Sequence, residues 1–217
     1  MKKYIKERIS MKVLLINGSP HQKGCTYTAL KEVSDTLNLE GIDTEMIHVG
    51  NKNIRGCIGC RKCKETGECV FHDFVNEVAE QFAKCDGIVV GSPVYFASAN
   101  GTLVSFLDRL FYSSSADKTM KVAAAVVSCR RGGASSTFDE LNKYFTISQM
   151  PVVSSQYWNS VHGYTPEDVK NDKEGMQVMR ILGRNMAFLI KSIQLGKEKF
   201  GLPEKENHVF TNFHNIK

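Results

Sequence analysis

The chain has 217 residues, 42% of them hydrophobic and 24% charged, with a formal net charge of +5. Such a length carries one sizeable core without demanding a second domain, and the composition is that of a folded globular chain. No apolar run approaches the roughly 18 residues of a membrane helix, and basic residues are mixed with acids in no stripe suited to nucleic acid. Neither a membrane nor a nucleic acid is therefore expected as a partner.

Residues 1–10 are charged throughout and lack the apolar middle of a signal peptide, which makes a cytoplasmic location the expectation. Met1 and Met11 both qualify as the start, so 1–10 reads as an N-terminal extension to a single domain over 11–200, with a polar tail over 201–217. Residues 13–16 are an unbroken apolar run, the mark of a strand buried on both faces. A polar loop follows, and Leu30, Val33 and Leu37 then recur at helical spacing from Thr26 onward.

A second strand is expected over 43–49 and a Cys- and Gly-rich loop over 56–70. Phe74, Val75, Val78 and Phe82 predict a helix over 73–83 with Asp73 as N-cap. Residues 87–91 form a third buried strand, and Leu103, Phe106, Leu107, Leu110 and Phe111 mark the next helix. A fourth strand is expected over 121–128 and a helix over 135–145. Val152 and Val153 begin a weaker fifth strand, and 166–197 reads as a long amphipathic helix broken near Asp172 or Gly183.

Continuously apolar strands alternating with helices predict an α/β chain, a doubly wound parallel sheet with helices on both faces. In such sheets ligands bind beyond the carboxyl ends of the strands, at the topological switch point. The loops there are 18–25, 92–100 and 128–134, and all are rich in glycine or serine. The first runs strand, loop, helix, the arrangement that aims free N–H groups at a bound anion. Ser19, Thr26 and Thr28, with His21 and Lys23, add donors for phosphate oxygens. It lacks the Gly-x-Gly-x-x-Gly and Gly-Lys-Ser/Thr patterns, which favours a mononucleotide phosphate; an ordinary loop rich in turn formers is the alternative.

Four of the seven cysteines crowd together as Cys57-x-x-Cys60-x-x-Cys63-x5-Cys69. In a cytosolic chain this points to metal or redox chemistry before disulfides, and four thiolates at such spacing can wrap one compact cluster. Arg55, Arg61, Lys62 and Lys64 are expected to lower the thiol pKa values and offset the charge of a ligated cluster. Zinc and a metal-free loop are the alternatives, although zinc sites more often use well-separated Cys pairs. Cys85 and Cys129 read as buried small hydrophobes.

Together, Asn17-Gly18-Ser19-Pro20 with Gly24 and Thr26, Gly91-Ser92-Pro93-Val94-Tyr95-Phe96, and Leu107-Asp108-Arg109 resemble the flavodoxin-like NAD(P)H-dependent FMN reductases. The cysteine loop is similar to that of the iron–sulfur flavoproteins within that superfamily. The resemblance covers roughly residues 11–190. It implies a five-stranded flavodoxin-like sheet of order 2-1-3-4-5, bound FMN, a homodimer or homotetramer, and a [4Fe–4S] cluster on the cysteine loop. By position, it implies that Ser19, His21, Lys23 and Thr26 hold the FMN phosphate. Pro93, Val94, Tyr95 and Phe96 would line the ring and offer backbone amides, while Ser128, Gly132 and Gly133 border the flavin. One departure is Gly24-Cys25-Thr26, where the family usually reads Gly-Asn-Thr; Cys25 has no amide to order the loop.

The activity implied is transfer of electrons from NAD(P)H through FMN to a small-molecule or protein acceptor; an electron relay between protein partners is the alternative, and a redox-sensing module a third. Tyr95 and Phe96 offer a face for a planar ring, or else cap the core. Arg130 and Arg131 suit the 2′-phosphate of NADPH or form a solvated pair. Trp158 is expected to pack into the core, the alternative being a place with Tyr157 near the ring, and Leu107, Leu110, Phe111 and Tyr112 form either a dimer surface or plain core.

Overall fold

The apolar runs pair into one parallel sheet, seen in a computed structural model that describes residues 10–207, 209 and 211. Its strands are β1 (Lys12–Asn17), β2 (Asp43–His48), β3 (Gly87–Pro93), β4 (Val122–Cys129) and β5 (Ser160–His162), in the order β2-β1-β3-β4-β5. This is the order the resemblance implied. Register runs straight across the centre: Ile16 lies opposite Ile47 on one side and Val90 on the other, and Val90 opposite Ala125.

Because successive side chains point to opposite faces, each central strand feeds two cores. Val13, Leu15, Val89, Ala124 and Val126 meet α1 (Cys25–Leu39) and α7 (Lys173–Phe200). Leu14, Ile16, Ile88, Val90 and Val127 meet α3 (Phe74–Ala83), α4 (Gly101–Ser113) and α5 (Ala134–Thr146). Two short helices complete the chain, α2 (Cys63–Thr66) and α6 (Pro166–Asn171).

Asp73 caps α3 as expected, its Oδ1 accepting from Val75 N at 3.0 Å. The expected break in the long helix falls at Asp172, whose Oδ1 accepts from Gly175 N at 2.9 Å and so starts α7 anew. Gly183 is no break; α7 runs through it.

One expectation is corrected. Val152 makes only an isolated bridge with Ala123, and the fifth strand proper is β5, eight residues further on, beside Val127–Cys129. The chain between them leaves the sheet edge, anchored by Ser155 Oγ donating to Val178 O at 2.7 Å. Within the expected polar tail, Lys205 Nζ pairs with Asp117 Oδ2 at 2.6 Å. Of the expected extension over 1–10, only Ser10 falls among the described residues. Among the described residues no helix is long and apolar enough to cross a membrane.

Candidate functional site

The strand order puts the switch point between β1 and β3, where the chain leaves β1 toward α1 on one face and β3 toward α4 on the other. Asn17 at the end of β1 organises the first loop: its Oδ1 accepts from Ser19 N at 3.1 Å and its Nδ2 donates to Gln22 O at 3.1 Å. Ser19 Oγ accepts from His21 N at 3.2 Å, and His48 Nε2 lies 2.7 Å from Ser19 O. α1 then begins at Gly24 with no side-chain cap, so its first-turn amides have no such partner. Ser19 and Thr26 are buried, whereas His21 and Lys23 stand exposed at the rim. Thr26 Oγ1 and Ser128 Oγ share a hydrogen bond of 2.8 Å, which ties the first loop to the end of β4.

Gly50 holds this loop from outside. A Cβ there would lie 2.2 Å from Ser19 C and O and 2.4 Å from Gly18 O. Gly50→Ala is therefore expected to displace the Ser19 backbone and destabilise the chain by about 1–3 kcal/mol, the usual cost of overpacking. Thermal unfolding checks this, and an unchanged midpoint contradicts it.

The loop after β3 is a two-residue hairpin. Tyr95 N donates to Ser98 O at 2.9 Å and Ser98 N to Tyr95 O at 3.0 Å, with Phe96 at φ 51° and Ala97 at φ 60°. Left-handed backbone under a bulky phenylalanine costs on the order of 1–3 kcal/mol and persists only where the surroundings impose it. Here α5 imposes it. Glu140 Oε2 accepts from Ser98 Oγ and Ala99 N, each at 2.8 Å, and Ser136 Oγ donates to Ala97 O at 2.8 Å. Gly133, at φ +86°, lets the third loop press on the hairpin, since a Cβ there would meet Ala97 Cα at 2.8 Å. Around Gly132, by contrast, a Cβ would meet nothing within 4 Å.

Tyr95 is half-exposed and Phe96 fully exposed, so neither caps the core. Val94 N donates to Ser128 O at 3.0 Å. With Tyr95 N also committed, Phe96 is the residue among 93–96 that keeps a spare amide. Arg130 and Arg131 stand exposed.

Trp158 departs from expectation: it is 57% exposed, stacked obliquely on Tyr157 with centroids 5.2 Å apart. Their segment is the one that leaves the sheet edge. The buried residue there is Asn159, whose Nδ2 donates to Ala125 O at 3.0 Å. Of the apolar set on α4, Leu107 and Leu110 are core, Phe111 packs among Phe82, Tyr144 and Phe145, and only Tyr112 is exposed.

The four cysteines line a single pocket with Phe71, Arg109 and Tyr112. Left-handed turns at Gly59, Arg61 and Gly67 coil the loop, and α2 ends on Gly67. Cys57 and Cys60 are exposed, Cys63 and Cys69 half-buried. Among the described residues no three His, Cys, Asp or Glu side chains stand close enough to hold a metal as they are; the loop must tighten to do so.

The basic residues do not lower Cys63 as expected. Burial pushes its thiol up, and the neighbouring Cys60, Cys57 and Cys69 sulfurs push it further. Lys62 is exposed and paired with Glu65 at 3.1 Å, which spends its charge elsewhere. Cys85 and Cys129 are buried as expected, with thiols raised by burial. Cys25, half-buried at the start of α1, points its sulfur toward Gly163 O at 3.9 Å.

Arg109 is the residue that sequence reasoning left without a role. It is the largest fully buried side chain, 1% exposed, and it joins the loop to the core. Its NH1 and NH2 bond Asp73 at 2.8 and 2.7 Å, NH1 also reaches Arg55 O at 3.2 Å, and Nε donates to Cys69 Sγ at 3.3 Å. An arginine in the middle of an apolar helical stripe was the available signal, since buried charge demands a partner.

Comparison with known proteins agrees with this arrangement. The NADPH-dependent FMN reductase family matches residues 11–165. An iron–sulfur flavoprotein of Methanocaldococcus jannaschii is 35% identical over 192 residues, spanning 85% of this chain and 100% of that protein. Among solved structures, RosB with bound 8-demethyl-8-formylriboflavin-5′-phosphate superposes with a TM-score of 0.70 at 14% identity, covering 96% of this chain and 94% of that one. A flavodoxin from the domain Archaea superposes with a TM-score of 0.57 at 16% identity, covering 83% and 99%; these two likenesses bear on the fold alone. The sheet order, the loops at its switch point and the length of the family match together place the chain in the NADPH-dependent FMN reductase family, as a flavoprotein oxidoreductase of the iron–sulfur flavoprotein subgroup.

Proposed function

We propose that the chain holds FMN across the ends of β1, β3 and β4 and passes electrons from NAD(P)H to a small-molecule or protein acceptor. The observation that carries this is a set of buried hydroxyls at the uncapped start of α1, Thr26 bonded to Ser128 at 2.8 Å and Ser19 buried in the loop that leads into the helix. Such a donor set fits a phosphate, because hydroxyls and helix amides donate where charge must be neutralised. Ser19 and Thr26 hold the phosphate from within the loop, and His21 and Lys23 cover it from the rim. Pro93, Val94, Tyr95 and Phe96 line the ring, with the Phe96 amide as donor to its polar edge. Ser128, Gly132 and Gly133 border it from the third loop, the open space at Gly132 admitting close approach.

Bound FMN supplies hydride acceptance and one-electron release, chemistry that belongs to the cofactor. The chain binds and orients it, and no side chain is assigned as acid or base. A second reading, an electron relay, is favoured by the pocket that Cys57, Cys60, Cys63 and Cys69 share. Four thiols in one small pocket fit a [4Fe–4S] cluster once the loop closes.

Anaerobic mixing of the FMN-loaded protein with NADPH, then NADH, tests the first reading. Loss of the flavin absorbance band within the mixing experiment is the expected result. A flavin that stays oxidised with both donors contradicts it and favours the relay.

A further inference from the structure

Among the four cysteines, one is held and three are not. Cys69 Sγ receives the Nε–H of Arg109 at 3.3 Å, and Cys69 O receives Asn76 Nδ2 at 2.9 Å. Cys63 has only a long contact to Tyr112 O at 4.0 Å, while Cys57 and Cys60 are exposed. The guanidinium cannot swing away. Asp73 grips it through both terminal nitrogens, Arg55 O takes a further bond, and Phe71 lies against it with its centroid 4.8 Å away.

We propose that Arg109 is a positioning residue for Cys69, fixing this sulfur as the anchor on which the other three cysteines close and setting the reduction potential of the cluster they hold. The proposal rests on the cluster reading of the loop. Its physical basis is general. Hydrogen bonds to ligating sulfurs tune iron–sulfur potentials, and partners of the ligands tune affinity. Arginine is permanently charged, so its N–H draws electron density from the sulfur in either redox state. The more negative, reduced state gains more from that donor, so one electron enters more readily and no proton need move. Lysine cannot substitute, because a compact ammonium lacks the planar fork that reaches Asp73 and Cys69 together.

The test uses the full chain, reconstituted anaerobically with ferrous iron and sulfide, as wild type and as Arg109→Lys. An electron paramagnetic resonance titration is expected to show the reduced-to-oxidised ratio of the cluster falling about tenfold at a fixed poise in the variant. That is a midpoint about 59 mV more negative for a one-electron couple. Flavin absorbance and iron content equal to wild type show that the comparison is between folded, loaded proteins. Equal potentials at equal iron content overturn the proposal.

A second measurement needs neither cluster nor variant. In iron-free, reduced wild-type protein, iodoacetamide labelling mapped by mass spectrometry is expected to reach Cys57 and Cys60 well before Cys69. Labelling of Cys69 as fast as Cys57 overturns the anchor. Wild type that takes up no iron disproves the cluster reading, and the labelling order then decides the anchor by itself.

Discussion

Replacing Asp73 by alanine is expected to lower the stability of the chain by about 3–5 kcal/mol, the cost of stranding one member of a buried ion pair. Arg109 would keep its charge at 1% exposure with neither carboxylate oxygen left, and α3 would lose the cap that Asp73 gives Val75 N. The lower end of that range is expected because the Asp73 side chain is itself 36% exposed and partly screened. Asp73→Asn keeps an oxygen for the cap and loses the charge, so it should fall between the two.

The same pair sets an acid limit. Arg109 holds the Asp73 carboxyl below its ordinary value of 3.8, with the Val75 amide adding to the effect. A depressed carboxylate stabilises the fold fully above the unfolded pKa and loses that contribution as pH falls through the folded one. The difference between wild type and Asp73→Ala should therefore be full at pH 7 and shrink below about pH 4. Urea unfolding at pH 7 and pH 3 measures both; equal midpoints for wild type and variant at pH 7 contradict the account.

The double replacement Ser19→Ala, Thr26→Ala is expected to weaken FMN binding at least about a hundredfold. A hydrogen bond to a charged group contributes roughly 1.5–3 kcal/mol, and two are removed. Stability should fall far less, by about 1–2 kcal/mol, because the main loss in the fold is the bond between Thr26 and Ser128. Titration of the apo-protein with FMN, followed by flavin fluorescence, reads the affinity. Affinity equal to wild type would remove these hydroxyls from the phosphate site.

What the sequence made legible was whatever local pattern decides. Residues 13–16, 87–91 and 122–127 are apolar on both faces, and only central strands of a covered parallel sheet need that. Asp73 before Phe74 announced a helix start through capping chemistry, and its side chain accepts from Val75 N; Asp172 was marked only as a break, and there its side chain accepts from Gly175 N. β5 escaped because a three-residue strand with one buried side chain, Val161, carries no periodicity, while Val152 and Val153 imitate a strand start. Trp158 was misplaced since size and apolarity favour burial on average, and nothing local says that its segment leaves the sheet edge.

The site was legible in its loops and less so in its wiring. Ser19 and Thr26 were marked by residue type and Ser128 only through the resemblance, and the bond between Thr26 and Ser128 spans 102 positions. Arg109 meets Cys69, Asp73 and Arg55 from 40, 36 and 54 positions away, so no window of sequence holds the argument for its role. The cysteine spacing marked four candidate donors, but the rise of the Cys63 thiol comes from burial and from the neighbouring sulfurs, which is a matter of side-chain placement.

On the proposed reading, one chain carries flavin at the switch point and a metal cluster on its cysteine loop. An absorbance spectrum of anaerobically purified protein, with iron and acid-labile sulfide assayed on the same sample, tests it most directly. Flavin bands with about four irons and about four sulfides per chain are the predicted result. Protein that shows no flavin bands even after FMN is added, and holds no iron, would contradict it.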